Sequence, residues 1–207
     1  IGQSCGSCHD PKFAFSDPNH SVISEGAVKG LFANRNAPAL TYSKYAGALT
    51  SDGNIDEPTY TGGFFYDGRT NSLEEQAQKP FLNPVEMGNK DILSVVTKIK
   101  KAKYYADLVK IYGNTLDAQT IFENVADALA AYEKTDEFTR FDSKYDAVLA
   151  KKASFTEEEL RGFLFFSNIT KGGCSVCHSI DPEKTSGKVL FTDFGYANLG
   201  VPKNYNN

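Results

Sequence analysis

Residues 5–9 read Cys-Gly-Ser-Cys-His, and residues 174–178 read Cys-Ser-Val-Cys-His. These two copies of one pattern use all four cysteines and two of the three histidines in the chain. The spacing is typical of a c-type haem site, where two thioether bonds hold the porphyrin and the adjacent imidazole binds the iron. The sequence therefore predicts two covalently bound haem c groups, carried by Cys5, Cys8, His9, Cys174, Cys177 and His178.

Other uses of these cysteines explain the pattern less well. A structural zinc site takes four ligands, commonly in two close pairs, whereas these pairs lie at opposite ends of the chain and each brings its own histidine. A disulfide within each pair would close a strained small loop and leave the histidines unexplained. A thioredoxin-like redox site requires one such pair and no histidine after it.

The length and the net charge of the chain limit the classes of protein to which it can belong. A chain of 207 residues is long enough for one large or two modest domains, each with a core. The net charge of −4 comes without a basic run, which argues against nucleic-acid binding. No apolar run approaches the length of a membrane span. Because haem is attached to such motifs outside the cytoplasm, we expect a periplasmic or otherwise exported protein.

Most segments with a regular pattern predict helices. In residues 120–134, apolar side chains recur every three or four positions, as in an amphipathic helix. Capping-box patterns predict helix starts at Ser72 and Thr156, and we expect the first of these helices to run through Gln78 and to end at Pro80. No segment shows the sustained alternation of a strand. Further helices are expected at residues 91–99 and 104–112.

These patterns predict a mostly α-helical chain with two cytochrome c-like domains and one covalent haem in each. The first domain would span residues 1–150 and the second residues 151–207. The sequences that follow the two motif histidines differ: Asp-Pro-Lys-Phe comes after the first and Ser-Ile-Asp-Pro after the second. We therefore expect two haems with different surroundings and different roles.

Further motifs lie in a fixed order along nearly the whole chain. They are Arg-Asn-Ala-Pro at 35–38, Phe-Tyr-Asp-Gly-Arg at 65–69, Leu-Glu-Glu-Gln at 73–76, Glu-Met at 86–87, Arg-Gly at 161–162, Phe-Thr-Asp-Phe at 191–194 and Asn-Leu-Gly-Val-Pro at 198–202. Together with the two haem motifs, this series resembles the bacterial di-haem cytochrome c peroxidases and their relatives of the MauG type.

The resemblance implies a role for each haem and for two polar residues. The N-terminal haem, with His9 on its iron, would be the peroxide site, and the C-terminal haem, with His178, would pass electrons to it. Glu86 and Gln76 match the polar pair above the peroxide site. A carboxylate there can move a proton between the peroxide oxygens, while Gln76 would hold the peroxide or a water in line. Without the resemblance, Glu86 would be interpreted as a solvated loop residue and Gln76 as an exposed helix residue.

Two further positions have roles implied by the same resemblance. Tyr66 stands where the family typically has Trp between the haems. A phenol could relay an electron or a radical there, and the alternative is an ordinary packed aromatic ring. Asn36 matches a side chain that helps to hold a calcium ion, which takes six to eight oxygen ligands.

The sequence departs from the resembling family in two places. A loop histidine that often closes the peroxide site would fall near Ala27 and Val28, which cannot bind iron. The spare histidine, His20, is predicted to be a surface loop residue, and the alternative is a distal ligand of the first haem. We expect an open site of the MauG type. Few residues follow His178, and they include neither Met nor His, so the second domain is expected to be incomplete. Met87, next to Glu86, belongs beside the first haem.

The leading functional hypothesis is a peroxidase that reduces hydrogen peroxide with electrons from a small cytochrome c or a cupredoxin. A homodimer is a further expectation from the resemblance. One alternative is a MauG-like enzyme that oxidises a residue of another protein. The other is a plain di-haem electron carrier, in which both irons would have two axial ligands and no peroxide chemistry would occur.

Overall fold

The computed structural model describes residues 3–202. The outer ends of the two predicted domains, residues 1–2 and 203–207, lie outside this described part. The chain divides into two compact units, each built from separate segments. The first unit contains residues 3–49, 63–138 and 199–202, and the second contains residues 50–62 and 139–198. The predicted boundary near residue 150 stays a prediction.

Most of the regular secondary structure in residues 3–202 is helical, in agreement with the predicted mostly α-helical class. In this part of the chain, strand structure is limited to one short antiparallel pair and a few isolated bridges. None of the helices within it is long and apolar enough to cross a membrane. The elements are α1 (Leu73–Leu82), α2 (Ile92–Ile99), α3 (Tyr105–Tyr112) and α4 (Ala118–Glu133) in the first unit, and β1 (Thr50–Ser51), β2 (Tyr60–Thr61), α5 (Lys144–Leu149) and α6 (Glu157–Ser167) in the second.

Short polar side chains begin the helices at the predicted caps. Ser72 Oγ accepts a hydrogen bond from the Glu75 amide at 3.1 Å, and Thr156 Oγ1 accepts one from the Glu159 amide at 3.2 Å. In α6 the Glu159 carboxylate accepts in return from the Thr156 amide at 2.7 Å, which completes the capping box. In α1 the Glu75 carboxylate accepts instead from the Asn71 amide at 3.0 Å.

The prediction that Pro80 ends the first of these helices was wrong, because α1 continues through Pro80 to Leu82. Proline lacks an amide hydrogen, and its ring crowds the carbonyl four residues earlier. The helix tolerates it here in its last turn, where the Asn83 amide still donates to the Lys79 carbonyl at 3.2 Å. Pro80 thereby lies in the wall of the cavity described below.

The main core of the first unit lies among α2, α3 and α4, whose apolar residues face one another at helical spacing. A smaller cluster, made of Phe64, Leu73 and Ala130, joins α1 to α4. An ion pair between Lys134 Nζ and Glu74 Oε1, at 2.6 Å, also links these two helices. The main core consists of Val95, Val96, Ile99, Leu108, Ile121, Phe122 and Val125.

Candidate functional site

The first Cys-x-x-Cys-His motif forms a tight turn that begins with a 3₁₀ helix, Cys5–Ser7. The amides of Cys8 and His9 both donate to the Cys5 carbonyl, at 3.2 and 2.8 Å. The His9 Nδ1 atom lies 2.9 Å from the Phe15 carbonyl oxygen. A carbonyl can only accept, so Nδ1 carries the hydrogen and Nε2 is left as the ligand atom.

The second motif has the same local geometry in the other unit. It begins with a 3₁₀ helix, Cys174–Val176, and the amides of Cys177 and His178 donate to the Cys174 carbonyl at 3.2 and 2.8 Å. The His178 Nδ1 atom lies 3.1 Å from the Phe191 carbonyl oxygen. In each motif, a hydrogen bond to a backbone carbonyl therefore orients the histidine so that its Nε2 atom can bind iron.

Both of these carbonyls belong to a phenylalanine in the left-handed region, with φ of 58° at Phe15 and 55° at Phe191. That conformation costs a residue with a Cβ roughly 1–2 kcal/mol, and such strain is common where a structure holds a functional group in place. This correspondence is not visible in the sequence, because Phe15 follows its histidine by 6 residues and Phe191 by 13.

A cavity of about 640 Å³ opens in the first unit, within the range of about 300–1,000 Å³ that is usual for cofactor sites. Apolar side chains of α1 and α4, among them Ala77, Phe81 and Leu129, line it beside polar groups. Two thiols, an imidazole and an apolar slot fit a c-type haem. The cavity wall includes Cys5, Cys8, His9, Gln76 and Glu86, which the sequence assigns to the first haem. It also includes Asn36 and Tyr66, whose expected roles are to help hold a calcium ion and to relay an electron between the haems.

Glu86 is a half-buried carboxyl in this wall. Burial raises its pKa, while a hydrogen bond from Asn83 and the positive charge of Arg69 oppose that rise. Asn83 Nδ2 donates to Glu86 Oε1 at 2.6 Å, which fixes one carboxyl oxygen. Glu86 can therefore hold a transferred proton more readily than a solvated carboxylate can.

Two arginines in the cavity wall share one aspartate. Asp67 contacts Arg35 at 2.9 Å through one carboxylate oxygen and Arg69 at 2.8 Å through the other. Burial would raise the pKa of Asp67, but the hydrogen bonds and charges of the two guanidinium groups outweigh it and hold the pKa below its usual value. The Arg69 guanidinium also lies 3.6 Å from the centre of the Phe65 ring, as in a cation–π contact.

The remaining predicted residues occupy different parts of the wall. Gln76, on α1, is half-buried, and Tyr66 is 52% exposed. Asn36 Nδ2 donates to the Ser21 carbonyl at 2.8 Å, and its calcium role stays a prediction. Residues 3–202 contain no group of three or more His, Cys, Asp or Glu side chains placed to hold a metal ion. Met87 lines the cavity as well, next to Glu86 as expected.

The loop expected to hold a distal histidine lies against Glu86. The Ala27 amide donates to the Glu86 carbonyl at 2.6 Å. A Cβ atom added to Gly26 would lie 2.4 Å from the Val85 carbonyl oxygen, so only glycine permits this approach. His20 is exposed, does not line the cavity, and makes an edge-to-face contact with Phe13 at 5.1 Å. This matches its interpretation as a surface loop residue.

Glu133, the last residue of α4, is a further acidic residue in the wall and was not expected from the sequence. Leu129 and Tyr132, from the predicted apolar stripe, also line the cavity. Glu133 follows Leu129 by four positions and therefore shares its helix face. A carboxyl group on an otherwise apolar helix face is the sequence signal that could have identified Glu133.

Residues 2–154 match the family profile of the di-haem cytochrome c peroxidases. The chain belongs to this family. The methylamine utilization protein MauG of Paracoccus denitrificans is 37% identical to it over 209 residues, which cover 98% of this chain and 52% of MauG. The cytochrome c peroxidase Ccp of Escherichia coli is 26% identical over 98% of this chain and 37% of its own length.

A solved structure shows the same fold as this member of the di-haem cytochrome c peroxidase family. The di-haem peroxidase BthA of Burkholderia thailandensis superposes with a TM-score of 0.87 and 36% sequence identity, covering 98% of this chain and 51% of BthA. The chain therefore spans about half the length of MauG and BthA.

Proposed function

We propose that the protein is a di-haem c-type peroxidase that reduces hydrogen peroxide at the haem held by Cys5, Cys8 and His9. The convergence of His9, Gln76 and Glu86 on one cavity carries this proposal. A plain electron carrier needs no acid–base carboxyl beside its haem, so Glu86 favours an enzyme.

We further propose that electrons reach the first haem through a second one, held by Cys174, Cys177 and His178. Membership of a di-haem family supports this, as does the shared orientation of His9 and His178 by phenylalanine carbonyls. The proposed electron donor is a small cytochrome c or a cupredoxin. A periplasmic or otherwise exported location, and a homodimer, belong to the same proposal.

Glu86 would act in this reaction as the acid–base group. The haem, when bound, supplies the iron at which the O–O bond of peroxide is broken with two electrons. Glu86 takes a proton from one peroxide oxygen and returns it to the departing oxygen. Asn83 holds the carboxyl in one orientation through its 2.6 Å hydrogen bond. Two further protons from solvent complete the conversion of one peroxide to two waters.

Gln76 and Tyr66 would assist in different ways. The side-chain amide of Gln76 can both donate and accept hydrogen bonds, so it can hold a peroxide molecule in one orientation. Burial raises the pKa of the Tyr66 phenol, so the phenol stays protonated near neutral pH. An electron relayed through Tyr66 would therefore require the phenol proton to leave as well.

A second candidate function is the MauG-like oxidation of a residue in another protein. Two observations favour it. The chain is 37% identical to a MauG protein, and Ala27 and Val28 occupy the loop where a closing histidine would otherwise be expected. The two candidates share the first haem site and differ in the molecule that is finally oxidised.

The proposed function predicts that one haem of the full-length protein is open. Mass spectrometry should show two haems per chain that resist acid–acetone extraction, and carbon monoxide should shift the spectrum of one reduced haem. A Cys174→Ala/Cys177→Ala variant, which lacks the second attachment site, should still bind carbon monoxide. If neither haem binds it, the electron-carrier alternative replaces the peroxidase.

The iron coordination of the first haem should also not depend on His20. We expect His20→Ala to leave the spectrum and carbon monoxide binding unchanged, because His20 lies outside the cavity wall. Electron paramagnetic resonance of the resting protein tests this directly. A low-spin bis-histidine signal that disappears in His20→Ala would show instead that His20 binds the first iron.

A further inference from the structure

Glu133 has an unusual environment that the peroxide chemistry above does not use. Its Oε2 atom is shielded from solvent and has no hydrogen-bond partner among residues 3–202. The side chain lies in the wall of the same cavity as Cys5 and His9. Buried carboxyl oxygens are normally paired, so an unpaired one on a residue in the wall of a cofactor site suggests a group that exchanges protons.

The charged groups near Glu133 do not neutralise it. Lys134 is the neighbouring cation, but its Nζ atom is paired with Glu74 Oε1 of α1 at 2.6 Å. Lys44 Nζ donates to the Lys134 carbonyl at 3.2 Å. Burial, and then the negative charge of Glu74, raise the pKa of Glu133 to about 7. The thiol of Cys5, which also interacts with Glu133, would become an uncharged thioether on haem attachment.

The other charged residues of the cavity wall already have partners. Arg35 and Arg69 share Asp67, and Glu86 is held by a hydrogen bond from Asn83. The Glu25 carboxylate accepts from the Gly30 amide at 2.6 Å. Among these acidic groups, Glu133 stands apart as the one with a shielded, unpaired carboxyl oxygen.

We propose that Glu133 is a proton-binding group coupled to the charge of the first haem. When a one-electron donor reduces the ferric haem, the Glu133 carboxylate binds one proton from solvent, and it releases that proton on reoxidation. The inference rests on the proposed function only in placing a haem in this cavity. The physical reason is Coulombic: reduction removes one positive charge beside Glu133, which makes its ionised form less favourable in a poorly solvated site.

The sign of the effect follows from the two oxidation states. At low pH, Glu133 is protonated in both states, and the midpoint potential does not depend on it. Above the pKa that Glu133 has in the oxidised protein, the oxidised form has lost the proton while the reduced form still holds it. Reduction then requires proton uptake, so the potential falls as the pH rises. A tenfold difference in proton affinity between the two states corresponds to a total fall of about 59 mV.

The test is a spectroelectrochemical titration of the full-length holoprotein at a series of pH values on both sides of neutrality. One haem should show the falling potential, and Glu133→Gln should make that potential independent of pH in this range. Glu123→Gln is the matched control, because it makes the same change at an exposed position of α4. Glu74→Gln should move the fall to lower pH, since it removes one cause of the raised pKa of Glu133.

Each contrary outcome has a distinct meaning. An unchanged pH dependence in Glu133→Gln would overturn the inference and point to the haem carboxyl groups as the site of protonation. A wild-type potential that does not vary with pH would overturn it as well, while leaving the peroxidase proposal intact. A protein without haem at Cys5 and Cys8 would overturn both.

Discussion

Replacement of Glu86 by Gln is expected to slow the reaction with hydrogen peroxide by about 10²–10⁴-fold, the usual contribution of a positioned acid–base group. Glutamine has almost the same size and can still contact Asn83, but it cannot accept and return a proton. The spectra of both haems should remain unchanged, because Glu86 binds neither iron in the proposed arrangement. The measurement is the stopped-flow rate of the ferric or mixed-valence protein with peroxide.

The pH dependence of the reaction rate provides a second test of the Glu86→Gln variant. Only the ionised form of Glu86 can accept the peroxide proton, so the rate should fall as the pH falls through the pKa of Glu86. Burial raises that pKa, which places the fall above the range of an ordinary carboxyl. The acidic fall should be absent in Glu86→Gln. Gln76→Ala should cost less, since it removes orientation and no proton, and a normal rate in Glu86→Gln would exclude the carboxyl from the mechanism.

Replacement of Phe138 by Ala is expected to lower the free energy of unfolding by about 3–5 kcal/mol, as for other buried phenylalanines. The side chain is 1% exposed. It stacks on Phe15 with ring centres 4.0 Å apart and meets Tyr132 edge-on at 4.9 Å. Phe15 carries the carbonyl that orients His9. Loss of the Phe138 ring should therefore also broaden the absorption bands of the first haem. Denaturant unfolding of the holoprotein measures the change.

Phe13→Ala is the matched control for this substitution. Phe13 is 39% exposed and contacts His20, so its removal should change the stability by about 0.5 kcal/mol or less. Equal losses in the two variants would contradict the view that the Phe15–Phe138 pair supports the haem site.

Much of the first site could be predicted from the sequence, because its signals are local or lie in short motifs. The spacing of Cys5, Cys8 and His9 indicated a haem, and the order of the later motifs placed Gln76 and Glu86 beside it. The structure brings all five to one cavity. Helix starts were equally clear, since a capping side chain bonds to an amide only two or three residues away.

Three features could not be predicted from short sequence patterns. Glu133 resembles a solvated helix residue in the sequence, but the fold shields one of its carboxyl oxygens from solvent. Phe15 and Phe191 adopt a left-handed backbone that nothing in their residue type favours. A proline usually stops a helix, but α1 continues for two residues beyond Pro80.

The segment of residues 50–62 affects how the protein can be synthesised and divided. The Gly62 amide donates to the Phe194 carbonyl, and the Tyr196 hydroxyl donates to the Gly62 carbonyl across 134 residues of sequence. Synthesis starts at the N-terminus, so residues 50–62 cannot form these contacts until residue 196 has been made. Closing so long a loop costs conformational entropy. A single cut between residues 63 and 193 would separate the segment from these partners, so neither half of such a split would contain the second unit whole.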